Sequence, residues 1–232
     1  MVDKRKIEHS IRGIYRSKFI PRFFYVPVAR VLLYILAVLR IPYQIVNTSS
    51  LILATVAVIL IVFYPALIVL AGVLIFFSFV MEIVNSAWAK YNNGNLIYQK
   101  WVDETNGSVK IFLIFLAGAL FEFQISGNWS VFILLSAAVF SYMMMTYSGT
   151  MISLFTYKYS QKEDITEILK RKFAPRIRWI IKSPLSFSFE YQWTLIVICV
   201  LFGLFDWLFW FFIIFGNLKW IQGYYLMSKI RE

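Results

Sequence analysis

The sequence is poor in the side chains on which much enzyme and secreted-domain chemistry depends. A single cysteine, Cys199, excludes an intrachain disulfide framework, and a single histidine, His9, excludes a zinc site of the usual Cys/His type. No glycine-rich phosphate-cradling loop occurs, since Gly94 in Asn92-Asn93-Gly94-Asn95 reads as a turn between helices. Charged residues make up only 15% of the 232, against about 25% in a typical soluble domain. Any chemistry is therefore left to a few carboxylates and bases. What is abundant is apolar: 60% of the residues are hydrophobic, 19% are aromatic, and mean hydropathy is +0.71. The 23 Phe and 8 Trp ask for a larger hydrophobic surrounding than a core of this size provides, and the bilayer supplies it. The formal charge of +11 is carried between apolar stretches, which points to anionic lipid headgroups or phosphorylated substrates rather than to nucleic acid.

Hydrophobic runs predict an all-α, polytopic integral membrane protein with six transmembrane helices. The stretch from Leu51 to Met81 would be about 45 Å long as one helix, more than the roughly 30 Å hydrocarbon core, and Tyr64-Pro65 near its middle divides it. The expected spans are Asn47–Tyr64, Ala66–Lys90, Gly107–Ile125, Trp129–Phe155, Phe189–Phe205 and Trp207–Met227, with Ser126-Gly127-Asn128 and Asp206 separating the later pairs. Placing the N-terminus in the cytoplasm leaves the three outer turns without lysine or arginine. The N-terminal cations, the basic loop at about 156–188 and Lys229 and Arg231 then fall inside. That bias predicts a cell-membrane protein with both termini cytoplasmic.

The first forty residues form a basic N-terminal segment, separate from the six-helix domain of residues 41–232. Val26 to Arg40 is expected to be an interfacial amphipathic helix, with Leu32, Leu33, Ile35 and Leu36 entering the acyl boundary. Within the basic loop, Asp164 and Glu167 suggest a capping box, and Pro175 ends the short helix they would start.

One cluster of ionisable and amide groups stands out at the cytoplasmic end of the second and third spans: Glu82, Asn85, Lys90, Gln99, Lys100, Asp103, Glu104 and Asn106. Glu82 and Asn85 share a helix face at i,i+3, and Asp103 and Asn106 repeat the spacing. A carboxylate two turns inside an apolar helix is costly and faces either a partner or an aqueous cavity.

Read as Glu82-Ile83-Val84-Asn85-Ser86-Ala87-Trp88-Ala89-Lys90, then eight residues, then Gln99 to Gly107, the cluster resembles the motif Asp-x-x-Asp-Gly-x-x-Ala-Arg … Gly-x-x-x-Asp-x-x-x-Asp of the CDP-alcohol phosphotransferases, membrane enzymes with six spans. Ala89 and Asp103 match outright; Glu82, Asn85, Ser86 and Lys90 are conservative replacements; Gln99 and Gly107 depart from the motif. Pro42-Tyr43-Gln44-Ile45-Val46 stands where the family has Pro-Asn-x-Ile-Thr, so the likeness covers most of the chain. The resemblance implies a two-metal aspartate site that clamps the diphosphate of a CDP-alcohol and transfers its phospho-alcohol to a hydroxyl acceptor. Carried over, Glu82, Asn85 and Asp103 become the metal ligands, Lys90, Ser86 and Lys100 the substrate-binding groups, and Asp103 the catalytic carboxylate. The general-base position is Gly107, which has no side chain, and formal ligand charge falls by two. At most one Mg²⁺ or Mn²⁺ is then expected, or none, with the ammonium groups of Lys90 and Lys100 as candidates to replace it. Two functions follow: a divergent phosphotransferase of phospholipid or polar-lipid synthesis taking a CDP-alcohol or another nucleotide-diphosphate donor, or an inactive scaffold, partner or lipid-binding protein of the same fold. The resemblance also implies a homodimer.

Overall fold

In the computed structural model of the chain, residues 4–11, 21–92, 96–160 and 189–231 are described. They form eight α-helices: α1 Lys4–Ile11, α2 Val26–Leu39, α3 Tyr43–Phe63, α4 Ile68–Tyr91, α5 Leu96–Ser126, α6 Ser130–Ser160, α7 Phe189–Phe202 and α8 Phe205–Arg231. A π-helical turn, Pro21–Tyr25, leads into α2, and a 3₁₀ turn, Pro65–Leu67, leads into α4. No strand occurs among the described residues, so the protein is all-α. Four stretches are long and apolar enough to cross a membrane: Ile45–Phe63, Pro65–Tyr91, Trp101–Ser126 and Ser130–Met151. The expected fifth and sixth spans lie in α7, which has 14 residues, and in α8, which has 27. The basic-loop helix expected around Asp164 and Glu167 lies outside the described residues.

Local sequence explains where the helices break. Residues before proline avoid the α region, and Tyr64, at φ −135°, ψ 65°, ends α3 ahead of Pro65. Arg40 adopts a left-handed conformation, φ 52°, at the end of α2, and Pro42 at ψ 143° then redirects the chain into α3. The last break falls at Gly203 rather than at Asp206: Gly203 has φ 67°, its N–H bonds the Val200 carbonyl, and the Leu204 N–H bonds the Cys199 carbonyl. This is a Schellman ending, which favours a residue without a Cβ at the left-handed position. Asp206 instead sits in the first turn of α8, where a negative charge suits the helix dipole.

The chain divides into two compact units, the first comprising 1–126 and 193–205, the second 127–192 and 206–232. In the first unit α3 packs along α4 and α5, while α1 and α2 pack on α4. Helix α2 buries Ala29, Leu33 and Ala37. Leu33, expected in the acyl boundary, is thus fully enclosed by protein, whereas Ile35 is exposed. Tyr25 is wedged edge-on to Phe79 at 4.8 Å and stacked on Phe76 at 5.3 Å, and its hydroxyl pairs with the Thr194 hydroxyl at 2.9 Å. Burial raises the Tyr25 phenol above its ordinary pKa, the Thr194 hydrogen bond opposing, so it stays protonated through neutral pH. Glu8 on α1 pairs with Arg30 on α2 at 3.1 Å, both half exposed.

In the second unit, the Asn217 amide of α8 donates to the Ser141 hydroxyl of α6 at 2.8 Å and to the Ile213 carbonyl, while the Trp220 indole donates to the Asn217 carbonyl at 2.7 Å. Gly216 permits this approach, because a Cβ there would meet Ser141 at 3.1 Å. Small residues and side-chain amides are the usual means of joining apolar helices, whose packing gains no hydrophobic drive in lipid.

Candidate functional site

The antiparallel run of α3, α4 and α5 stacks two polar layers inside an otherwise apolar unit. The deeper one is built around Lys110 of α5, which is completely buried. Its ammonium forms an ion pair with Glu82 of α4, donates to the Ser50 hydroxyl of α3 at 2.7 Å, and makes a longer contact with the Ser78 hydroxyl at 3.5 Å. An ammonium has three donors and no acceptor, so Glu82, Ser50 and Ser78 account for all of them. The two serines are held in place by each other: Ser50 donates to the Ser78 carbonyl at 3.0 Å and Ser78 to the Ser50 carbonyl at 2.7 Å. Trp193 of α7 covers the fourth side, its ring centroid 4.8 Å from the ammonium nitrogen, and Phe79 stacks on that ring at 5.3 Å. The charge of Glu82 is thereby neutralised within the unit, as burial in a low-dielectric setting demands.

The second layer lies about one helical turn nearer the α4–α5 connection. Asn85 donates to the Asn47 side-chain oxygen of α3 at 3.0 Å. Asp103 accepts from Ser86 at 2.8 Å and from Gln99 at 2.6 Å, one bond to each carboxylate oxygen. Asp103 is half-buried, while Gln99, like Asn85, is almost fully buried. The side-chain carbonyls of Asn85 and Gln99 find no hydrogen-bond partner among the described residues. Lys90, half-buried, lies one turn beyond Ser86 near the end of α4, and Gly107 is buried on α5. The side chain of Lys100 lies outside the described residues.

The residues that the resemblance would make metal ligands have these surroundings. Of the three residues expected to bind metal, Glu82 is taken by Lys110, Asn85 faces Asn47, and Asp103 is held by Ser86 and Gln99. Among the described residues no three carboxylate, histidine or cysteine side chains form a group. A pair of divalent ions does not fit, because hard cations need several anionic oxygens and one of the two carboxylates is already paired with a fixed cation. The oxygens left over, on Asp103, Asn85 and Gln99, carry a single negative charge.

Lys110 is the residue that sequence reasoning missed. The signal was present: Gln99, Asp103, Gly107, Lys110 and Ile114 follow one another at spacings of four, four, three and four, so they line one stripe of α5. A cation on that stripe inside an apolar span needed a counter-charge, and Glu82 was the acidic group at matching depth. Lys90 and Lys100, the expected ammonium groups, lie two to three turns nearer the helix ends than the Glu82–Lys110 pair.

Fold and site together define the class: an all-helical, membrane-like protein in which α3, α4 and α5 share a polar core built on a buried Lys110–Glu82 ion pair. Compared with models of known protein families and with curated protein sequences, the chain matches none.

Proposed function

We propose that the chain is a polytopic membrane protein of CDP-alcohol phosphotransferase-like architecture that performs no transfer reaction and serves as a membrane scaffold, partner or lipid-binding module. The observation that carries this reading is the Lys110–Glu82 ion pair: the carboxylate at the first motif position is committed to an ammonium donated by the chain itself. Gly107 at the general-base position supports it, since positioned acid–base groups contribute about two to four powers of ten in rate. In this reading α7 and α8 are the fifth and sixth spans, both termini are cytoplasmic, and the cations of the N-terminal segment meet anionic headgroups. The arginines and lysines of α2 and its flanks, including exposed Arg30 and Arg40, then work at the inner membrane surface. Reporter fusions or single-cysteine labelling at the N-terminus, near Tyr64, near Gly127, near Leu204 and at the C-terminus test the topology.

One observation favours a second reading, a one-metal transferase. Asp103 is only half-buried, and in the same polar layer the buried side-chain oxygens of Asn85 and Gln99 have no partner among the described residues. The deciding experiment follows CMP release from labelled CDP-alcohols by the purified protein with Mg²⁺ or Mn²⁺ and candidate hydroxyl acceptors. The expected result is no release. Metal-dependent release that disappears in Asp103→Ala overturns the scaffold reading and establishes the enzyme.

A further inference from the structure

The surroundings of Lys110 have the composition of a binding site. One carboxylate, two hydroxyls and an indole face converge on a single atom, and that atom is the end of a flexible four-carbon stem rooted on α5. We propose that the cage of Ser50, Ser78, Glu82 and Trp193 is a monocation site whose ligand class is a primary alkylammonium, and that Lys110 is the tethered ligand that fills it. The inference rests on the reading of the core as metal-free and says what kind of cation the core is built to hold.

Three features select that class. The acceptors number three, which matches the three N–H donors of a primary ammonium. The net charge they present is that of one carboxylate, which balances a monocation and falls short of a divalent one, whose preferred shell is six or more oxygens. The fourth side is the face of an indole, the best of the aromatic partners for an organic cation at this range. A hard, strongly hydrated metal ion gains little from such a face.

Replacing Lys110 by alanine removes the equivalent of n-propylammonium from the cage. The test measures the melting temperature of detergent-solubilised Lys110→Ala against added n-propylammonium, n-propanol, tetramethylammonium and Mg²⁺ at matched ionic strength. n-Propylammonium is expected to raise the melting temperature saturably by about 3 °C or more. n-Propanol has the shape without the charge, and tetramethylammonium the charge without N–H donors, and neither is expected to do so. No effect of n-propylammonium, an equal effect of n-propanol, or a larger effect of Mg²⁺ overturns the proposal.

A second pair of variants keeps the test open where Lys110→Ala does not accumulate folded. Lys110→Met preserves the length of the stem and loses the charge, while Lys110→Arg keeps a cation of different shape. Lys110→Met is expected to melt well below the parent and Lys110→Arg between the two; Lys110→Met melting at or above the parent overturns the proposal. Metal-dependent CMP release by the parent protein would overturn the scaffold reading without touching the rescue result, so the two failures are distinct.

Discussion

The indole ring of Trp193 lies over the Lys110 ammonium, 4.8 Å from nitrogen to ring centroid, and so ties α7 to a charge carried by α5. The two residues are separated by 83 positions in the chain, and the same ring stacks on Phe79 of α4. Trp193 is wholly buried. Its ring face adds an aromatic contact to the carboxylate and the two hydroxyls around the ammonium.

Trp193→Leu is therefore expected to destabilise the first unit by more than the lost apolar area implies. A desolvated cation–π contact adds about 2 kcal/mol to the several kcal/mol of a large-to-small core change. Trp193→Phe keeps a weaker aromatic face and should lie between Trp193→Leu and the parent. Thermal midpoints in detergent, compared across the three proteins, check the order.

Removing one member of the buried ion pair strands the other. Glu82→Gln and Lys110→Met are each expected to cost about 3–5 kcal/mol, because each leaves an uncompensated buried charge. The double variant restores neutrality and should recover most of the loss, giving a coupling energy of at least about 2 kcal/mol in a double-mutant cycle. Strictly additive losses would show that the two side chains do not act as a pair.

Close helix contacts in the first unit depend on missing side chains. A Cβ at Gly118 would overlap the Phe205 ring, and one at Gly72 would meet the Leu201 backbone at 3.1 Å. Gly118→Ala and Gly72→Ala should destabilise by about 1–3 kcal/mol through overpacking. Gly149 has nothing within 4 Å of its added Cβ, so Gly149→Ala serves as the control and should be neutral or stabilising by up to about 1 kcal/mol. Unfolding midpoints of the three variants measure the contrast.

Arg40 holds a left-handed backbone with an ordinary side chain at an exposed position. Arg40→Gly relieves that conformation and is expected to stabilise the turn between α2 and α3 by roughly 0.5–1 kcal/mol. Arg40→Ala keeps the strain and removes the charge, so the pair separates backbone from headgroup contributions: a gain in Arg40→Gly alone assigns the effect to φ. Melting in detergent and binding to vesicles with and without anionic lipid provide the two measurements.

Much of the fold was legible because helix length and helix breaks are local properties. The Tyr64-Pro65 and Ser126-Gly127-Asn128 breaks could be read directly, since proline and glycine constrain the backbone wherever they stand. Helix α7 ends three residues before the expected boundary at Phe205, because the carbonyls of its last turn are satisfied by the left-handed geometry at Gly203 rather than interrupted by the polar Asp206. Within α2, the expectation that Leu33 enters the acyl boundary is the one that the structure changes. Leu33 and Ile35 are equally apolar, and the packing of α2 against its neighbours, α4 among them, decides that Leu33 is buried and Ile35 exposed.

The sequence alone determined that the chain is helical, membrane-like and polar at one inner cluster, because composition, run length and i,i+3 spacing act within a single helix. It also carried Glu82, Asn85 and Asp103 into one neighbourhood of α4 and α5. The sequence carries the match between Lys110 and Glu82, but the other partners were decided by tertiary structure. The acceptors around Lys110 come from residues 50, 78 and 82, and its aromatic cover from residue 193. A buried charge is satisfied by whatever packing brings within about 3 Å, and no pattern along one helix encodes that meeting.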